Sequence, residues 1–344
     1  MNPIDPSRLN DWLLSQPDIP GTGPVEEITA LPGGAQNMLY TLRRADGTEL
    51  VLRRPGRQVA DLAASSFARE AKVLSALART PVPHPRLYAS TLDITTLGTP
   101  FSILEKIDGF TPRGQLPGNY GTDPGWRRGI AFDLVAGAAA LANVDPDAIG
   151  LGGLGKREGW LERQVPRYHA MLQGYRETDG YIESPLVPEV ASWLTVNRPE
   201  KSRTGIVHGD LQFANVMFRH DAPRLTAIVD WEMASLGDPL LDLAWILTAW
   251  REPGDPAGSD PQLKPWDGMP SRAEMIGYYA ELTGRDVTDF PWYQVLACFR
   301  LAALLEGGYV RALGGKMDRA MGEGLHAYAA WLWAKASQQI GSAW

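Results

Sequence analysis

Cysteine is almost absent from this sequence of 344 residues, in which Cys298 is the only one. A single thiol cannot form a disulfide within its own chain, so a disulfide-stabilised secreted domain is excluded and a reducing compartment is expected. The first residues lack a basic segment followed by an apolar one, and no apolar run approaches the ~20 residues that cross a bilayer. The sequence therefore predicts a cytoplasmic protein with no membrane segment.

An excess of positive charge is missing as well. The chain has 33 Lys and Arg against 40 Asp and Glu, a formal net charge of -7 at pH 7. Proteins that bind nucleic acids usually carry a basic surface, so no nucleic-acid partner is expected. Hydrophobic residues make up 44% of the chain and charged residues 21%, the composition of a globular protein with a large core. The length allows one large domain or two ordinary ones.

The residues that indicate a function are concentrated in the segment 206–243, where three short oxygen-bearing side chains lie at turns. Asp210 follows a His-Gly pair, Asn215 lies five positions later, and Asp230 ends a predicted strand. Phosphoryl transfer needs a carboxylate that orients the attacking hydroxyl and oxygen ligands that hold Mg²⁺ on the phosphates. Because Mg²⁺ keeps several waters, one carboxylate and one amide suffice as protein ligands. Taken singly, each residue is more typical of an ordinary turn, but the three together favour a phosphoryl-transfer site.

Three motifs surround these residues: H-G-D-x4-N at residues 208–215, D-W-E at 230–232 and G-D-P-x2-D at 237–242. Together they resemble the signature of the aminoglycoside phosphotransferase-like small-molecule kinases, the relatives of choline kinase. V-L-R-x-P at residues 51–55 and the extended G-D-P-x2-D-L-A most resemble the kinase-like domain attached to some acyl-CoA dehydrogenases and its free-standing bacterial relatives. The resemblance implies a two-lobed protein-kinase-like α+β fold.

The same resemblance implies roles for individual residues. Asp210 would be the catalytic base or the group that orients the acceptor hydroxyl, and Asn215 and Asp230 would be the magnesium ligands. His208 and Asp242 would support the catalytic loop, with Asp242 at the head of a helix and hydrogen-bonded back to it. ATP and Mg²⁺ are the cofactors that this family uses.

The region before the motifs predicts a small, mainly antiparallel sheet with one helix. Strands are predicted at residues 25–31, 38–44, 49–54 and 99–105, and a helix at 62–79. The resemblance places a nucleotide-binding loop between the first two strands, with Gly33, Gly34 and Asn37. Glycine permits positive φ and close backbone approach, which anion binding through N–H groups requires. A Gly-Gly connection is otherwise far more often only a hairpin.

Four further cofactor-binding residues follow from the resemblance. Arg53 stands where protein kinases carry the phosphate-binding lysine, and a guanidinium can bind phosphate because it is planar and always charged. Glu70 matches the helix glutamate that pairs with this cation, although a glutamate in mid-helix is usually a surface residue. Glu105, through its carbonyl, and Ile107, through its N–H, would contact the adenine edge.

The remainder of the chain predicts a mostly helical region. Helices are predicted at residues 126–143, 160–175, 187–196, 239–250, 274–282, 292–313 and 317–335, with an irregular Pro- and Gly-rich connection at 252–270. The predicted domains are an N-terminal nucleotide-binding lobe, residues 1–106, and a C-terminal lobe with the catalytic loop, metal site and acceptor site, residues 107–344.

The predicted function is ATP- and Mg²⁺-dependent transfer of the γ-phosphoryl group to a hydroxyl of a small molecule, with a hydroxyacyl or related metabolite as the suggested acceptor. A nucleotide-binding pseudokinase or a regulatory interaction module is the alternative, which the complete set of Asp210, Asn215 and Asp230 disfavours. A protein kinase is disfavoured because the chain has no Ala-Pro-Glu motif. The sequence does not predict the oligomeric state.

Overall fold

A computed structural model describes residues 4–31, 37–56, 60–256 and 263–342. Gly33 and Gly34 of the predicted nucleotide loop lie outside these ranges. The chain separates into two compact units, of which the first comprises Met1–Thr111, Asp145–Leu154 and Asn215–Ala234 and the second comprises Pro112–Val144, Gly155–Ala214 and Ser235–Trp344. These units are sets of residues in mutual contact, and the predicted lobes, residues 1–106 and 107–344, remain a prediction.

The elements are numbered in chain order within the described ranges. The helices are α1 (Pro6–Leu14), α2 (Ala60–Leu77), α3 (Gly118–Thr122), α4 (Pro124–Ala142), α5 (Trp160–Tyr175), α6 (Val187–Val196), α7 (Leu240–Thr248), α8 (Arg272–Thr283), α9 (Phe290–Leu313) and α10 (Arg319–Ser342). The strands are β1 (Val25–Leu31), β2 (Asn37–Arg44), β3 (Glu49–Pro55), β4 (Leu87–Thr91), β5 (Phe101–Glu105), β6 (Gly114–Gln115), β7 (Gly205–Val207), β8 (Val216–Phe218), β9 (Leu225–Ile228), β10 (Ser235–Gly237) and β11 (Leu263–Lys264).

The first unit is built on a five-stranded sheet with the order β1-β2-β3-β5-β4. Each neighbouring pair is antiparallel, with Tyr40 opposite Leu52 between β2 and β3 and Leu52 opposite Ile103 between β3 and β5. Alternate side chains of a strand point to the same face, so these residues lie on the covered face of the sheet. Leu9 and Leu13 of α1 join the same buried cluster.

A hairpin of β8 and β9 completes the first unit and positions the D-W-E motif. Val216 pairs with Ile228, and a short 3-10 helix at Trp231–Met233 follows the hairpin. Trp231 is fully buried and its indole N–H donates to the carbonyl of Ile228. The turn after β9 is therefore fixed by a packed aromatic side chain.

The second unit is mostly helical. α4 begins at the Asp123 cap, whose carboxylate accepts a hydrogen bond from the N–H of Gly125 at 2.7 Å, as the Asp-Pro pair predicts. α9 packs against α5, α7 and α10. Gly237 is the last residue of β10 and lies against the indole ring of Trp160. A Cβ at this position would be 2.6 Å from atoms of that ring. This close approach explains why the G-D-P motif begins with glycine.

Most predicted elements agree with the structure within two residues at each end, and the differences have local causes. The helix predicted at residues 317–335 extends to Ser342, because helix-forming residues continue past the last apolar repeat. The connection predicted as irregular at residues 252–270 contains β11, which pairs with β6 in parallel. A strand of two residues is too short to produce a period in the sequence.

Across residues 4–342, apart from the gaps named above, no helix combines the length and the apolar character that crossing a membrane requires.

Candidate functional site

A buried arginine connects three elements of the first unit. Arg53 on β3 is 5% exposed and forms an ion pair with Glu70 of α2. Its Nη2 also donates to Oδ1 of Asp230 at 2.8 Å. Burying a charged pair is favourable only when geometry and further hydrogen bonds offset the loss of water. The sheet, the helix and the turn after β9 thus bring three of the predicted site residues together.

The register of α2 explains why Glu70 turns inward. Phe67, Leu74 and Leu77 form the buried stripe of this helix, and Glu70 falls between them at helical spacing. Its side chain is 3% exposed as a result. The sequence contained this signal, because the position of Glu70 on an apolar stripe distinguishes it from an ordinary surface glutamate.

Asp230 is held in an uncommon backbone conformation. Its φ is 68° and its ψ is 62°, and it is the only non-glycine residue with positive φ in the described ranges. The left-handed region costs an ordinary L-residue about 1–2 kcal/mol, although Asp tolerates it better than most. Such strain clusters at functional sites. The carboxylate is nevertheless 41% exposed, so the turn presents a charged group to solvent rather than burying it.

Glu232 and Asn37 extend this arrangement. Oε2 of Glu232 lies 3.3 Å from Nη2 of Arg53 and accepts a hydrogen bond from Nδ2 of Asn37 at 3.0 Å. Sequence reasoning assigned no role to Glu232, although it is the third letter of the D-W-E motif. Three carboxylates therefore surround one guanidinium, and we call Arg53, Glu70, Asp230 and Glu232 the carboxylate cluster.

The cluster and its neighbour Asn215 fit a hard divalent cation. Asn215 precedes β8, and its backbone carbonyl accepts a hydrogen bond from the N–H of Val229 at 2.9 Å, so the hairpin places it beside the residue before Asp230. The donors are oxygens, and the carboxylates outnumber the arginine, which favours a cation. Within the part of the chain that the structure describes, no group of three or more His, Cys, Asp and Glu side chains is arranged to hold a metal ion by itself. Mg²⁺ keeps several waters and needs only one or two protein oxygens, so the donor set is compatible with this ion.

In the second unit, the predicted catalytic loop is held by a buried carboxylate. The loop follows β7, and Gly209 adopts φ 88°, which glycine permits at low cost. Asp242, in the first turn of α7, accepts hydrogen bonds from the N–H of His208 at 2.7 Å and of Gly209 at 2.9 Å. This is the contact that the sequence resemblance implies for Asp242.

Burial dominates the ionisation of Asp242. Removal from water raises the pKa of its carboxyl group to about 7, and the N–H groups of Gly209 and His208 oppose that rise. The positive charge of Arg300 also lowers this pKa, and the negative charge of Asp210 raises it. Near neutral pH the support for the loop therefore changes its charge.

Asp210 is fixed by neutral donors. Its Oδ1 accepts a hydrogen bond from the indole Nε1 of Trp245 at 2.9 Å and another from Nε2 of Gln212 at 2.7 Å. Sequence reasoning named neither donor. Trp245 lies three positions after Asp242 on α7, and residues at this spacing share a helix face. That spacing, read together with the loop motif, was a usable signal.

The remaining predicted nucleotide contacts lie at the end of β5. Glu105 is the last residue of this strand, and its N–H donates to the carbonyl of Arg86 at 2.8 Å. Ile107 follows two residues later, outside any strand. The adenine contacts proposed for Glu105 and Ile107 stay a prediction, as do the roles of the other site residues.

Comparison with known proteins gives three kinds of match. The sequence model described as the phosphotransferase enzyme family matches residues 27–276. The chain is 29% identical over 325 residues to acyl-CoA dehydrogenase family member 10 of Mus musculus. This alignment covers 92% of the present chain and 29% of the mouse protein. It is 28% identical over 295 residues to family member 11 of Homo sapiens, in an alignment that covers 84% of the present chain and 36% of the human protein. The chain thus spans roughly a third of the length of these relatives.

Solved structures show the same fold. A candidate aminoglycoside phosphotransferase of Ralstonia eutropha superposes with a TM-score of 0.80 at 28% identity, over 97% of this chain and 98% of that one. A macrolide 2'-phosphotransferase of Brachybacterium faecium superposes with a TM-score of 0.62 at 20% identity, over 93% of this chain and 97% of that one. Choline kinase of Cryptosporidium parvum superposes with a TM-score of 0.64 at 12% identity, over 98% of this chain and 96% of that one. The predicted two-lobed protein-kinase-like α+β fold is confirmed.

Proposed function

Because this chain belongs to the phosphotransferase enzyme family, we propose that it transfers the γ-phosphoryl group of ATP, with Mg²⁺, to a hydroxyl group of a small molecule. The observation that carries this proposal is the carboxylate cluster, in which a strained and exposed Asp230 shares Arg53 with Glu70 and Glu232. A purely structural ion pair has no need of an exposed carboxylate in a left-handed turn.

In this proposal the first unit binds the charged part of the nucleotide. The guanidinium of Arg53 is held in place by Glu70 and contacts the phosphates, since a planar set of N–H donors matches phosphate oxygens. Asn215 and Asp230 would hold Mg²⁺, which when bound would supply positive charge beside the phosphates. The first unit would thus supply both the guanidinium that binds the phosphates and the oxygen ligands of the metal ion.

Asp210 of the second unit acts on the acceptor. Its carboxylate orients the attacking hydroxyl and accepts the proton, a contribution of about 10²- to 10⁴-fold in rate. Hydrogen bonds from Trp245 and Gln212 to Oδ1 fix the plane of the carboxylate.

The acceptor is proposed to be a hydroxylated acyl compound or a related metabolite. The support is the resemblance of the V-L-R-x-P and G-D-P-x2-D-L-A motifs, together with the names of the relatives as acyl-CoA dehydrogenase family members. Acceptor pockets vary within one fold, so the acceptor needs its own test.

The experiment is a transfer assay with labelled ATP and Mg²⁺ against aminoglycosides, macrolides, choline, sugars and hydroxyacyl thioesters in parallel. We expect transfer to one class, and a loss of at least about 100-fold in kcat for Asp210→Ala. Asp221→Ala is the matched control, because Asp221 is exposed and forms its ion pair with the neighbouring Arg219. Nucleotide binding without transfer to any acceptor, and equal behaviour of the two variants, would reduce the protein to a nucleotide-binding module.

A further inference from the structure

Arg300 of α9 is a buried arginine without a carboxylate partner. It is 8% exposed, and its one hydrogen bond runs from Nη1 to Oε1 of Gln164 at 3.2 Å. Its Nε is buried and has no hydrogen-bond partner. Throughout the described residues, no Asp or Glu side chain lies within ion-pair distance of this guanidinium, and the buried carboxylate of Asp242, whose pKa the charge of Arg300 lowers, acts on it only from beyond that distance. A buried charge of this kind is costly unless something pairs with it.

The other buried arginines of the second unit do have such partners. Arg127 pairs with Asp267 at 2.7 Å and donates to the carbonyl of Tyr120 at 2.9 Å. Arg285 lies 3.7 Å from a carboxylate oxygen of Asp238 and donates to two backbone carbonyls. Arg285 likewise has a buried Nε without a hydrogen-bond partner, so Arg300 departs from the pattern of its own unit in having no carboxylate within ion-pair distance.

The position of Arg300 relates it to the proposed catalytic carboxylate. Its guanidinium carbon lies 5.0 Å from the ring centroid of Tyr168 and 5.8 Å from that of Trp245. Trp245 in turn donates its indole hydrogen to Asp210. The aromatic rings hold the guanidinium in place, and cation-π contacts replace only part of the missing anion. One indole ring thus touches both the unpaired cation and the carboxylate that would receive the acceptor's proton.

We propose that Arg300 binds an anionic group of the phosphoryl acceptor, a carboxylate or a phosphate carried on the same molecule as the reacting hydroxyl. This inference rests on the proposed function and names a substrate class for it. A guanidinium with unused N–H donors matches both anions, so the shared chemistry is a small hydroxylated anion. Binding that anion would orient the hydroxyl towards Asp210 and make up for the missing counter-ion of Arg300.

The first arm of the test measures binding and needs no turnover. The whole chain, saturated with Mg²⁺ and ADP, is titrated with butyrate and with inorganic phosphate at constant ionic strength, by calorimetry and tryptophan fluorescence. We expect the wild type to bind at least one of them, Arg300→Gln to weaken that binding about tenfold or more, and Arg300→Lys to retain part of it. Wild-type protein that binds neither, or Arg300→Gln with wild-type affinity for both, overturns the inference.

Arg167→Gln is the matched control, because Arg167 also lies over the ring of Tyr168, at 5.7 Å, but is exposed. We expect its affinity for both anions to equal that of the wild type. Arg300→Met reports on folding: removing a buried charge that has no carboxylate within ion-pair distance should leave the thermal midpoint unchanged or raised. A large drop in the midpoint would show that Arg300 is structural and would count against the inference.

The second arm compares acceptors that differ in one anionic group. Transfer is measured to glycerol 3-phosphate against glycerol, and to 3-hydroxybutyrate against 1,3-butanediol, and the pair that discriminates identifies the anion. We expect the wild type to favour an anionic member about tenfold or more in kcat/KM and Arg300→Gln to lose most of that preference. Transfer without any preference overturns the inference and leaves the proposed function intact. Absence of transfer challenges the proposed function, and the binding arm then decides on Arg300.

Discussion

Asp230 and Asp210 are both proposed site carboxylates, but opposite kinds of partner surround them. Asp230 pairs with the guanidinium of Arg53 at 2.8 Å, which Glu70 and Glu232 share. Oδ1 of Asp210 instead accepts hydrogen bonds from the neutral indole N–H of Trp245 and the neutral amide N–H of Gln212. We call the surroundings of Asp230 the charged region and those of Asp210 the neutral region, after the donors that bind each carboxylate.

The difference corresponds to two chemical tasks. A carboxylate in a cluster of charged groups suits a ligand for a metal ion. A carboxylate that fixed donors hold in one orientation suits a group that receives a proton from a hydroxyl. The comparison therefore predicts that substitutions in the charged region act mainly on stability, whereas substitutions in the neutral region act mainly on turnover.

The largest expected effect is on the stability of the charged region. Arg53→Met leaves the carboxylate of Glu70 buried without its partner, so the free energy of unfolding should fall by about 3–5 kcal/mol. Combining it with Glu70→Leu should recover much of that loss, because the unpaired charge is then gone. Urea unfolding of the single and double variants measures both.

Arg43→Met is the control for this pair, since Arg43 also lies on the sheet but pairs with Glu27 at the exposed surface. Exposed pairs contribute about 1 kcal/mol or less, so this variant should unfold close to the wild type. A double variant no more stable than Arg53→Met would show that the buried pair is not the dominant interaction in the cluster.

A smaller effect, on turnover, is expected in the neutral region. Trp245→Phe keeps an aromatic ring on α7 but removes the indole donor to Asp210, and hydrogen bonds to charged groups contribute about 1.5–3 kcal/mol. We expect kcat to fall about tenfold or more, with the KM for ATP unchanged. Steady-state kinetics with the acceptor found in the screen measures this.

Trp292→Phe is the matched control, because Trp292 is as buried as Trp245 and its indole donates to a backbone carbonyl, that of Leu194. Equal losses of kcat in the two variants would mean that Trp245 acts through packing alone. The division between a charged and a neutral region would then lose its functional meaning.

The two regions also differ in how far the sequence predicted them. The motifs identified the region of Asp210 and of Asp230, and helical spacing predicted α5 and α6 within their observed bounds. The donors to Asp210 were missed for two reasons: Gln212 lies only two residues away, but a periodic pattern does not give side-chain directions in a turn, and Trp245 comes from a separate helix, α7. A pattern along the chain reports which residues share a face, and it does not report which faces meet.

Arg300 shows the same limit. From the sequence, an arginine in an apolar helix is expected at the surface, because arginine is rarely fully buried unless it is paired. Its burial depends on Tyr168 and Trp245, which come from α5 and α7. Only the folded chain shows a cation enclosed by two rings.

The smallest effect tests whether the neutral region depends on pH through Asp242. Its ordinary pKa of 3.8 is raised by burial to about 7. Between these values the unfolded chain is ionised while the folded protein keeps the proton, so the free energy of unfolding falls by about 1.4 kcal/mol per pH unit as pH rises. Below pH 3.8 and above about pH 7 this contribution is constant.

Asp242→Asn cannot titrate and keeps one acceptor oxygen for the loop, so it is the reference. Urea unfolding of both proteins between pH 5 and 8 should show the wild type losing stability relative to Asp242→Asn up to about pH 7. A wild type that instead gains relative stability over this range would mean that the N–H groups of His208 and Gly209 outweigh burial. Asp242 would then be a permanent negative charge behind the loop, and the second region would be organised partly by charge, like the first.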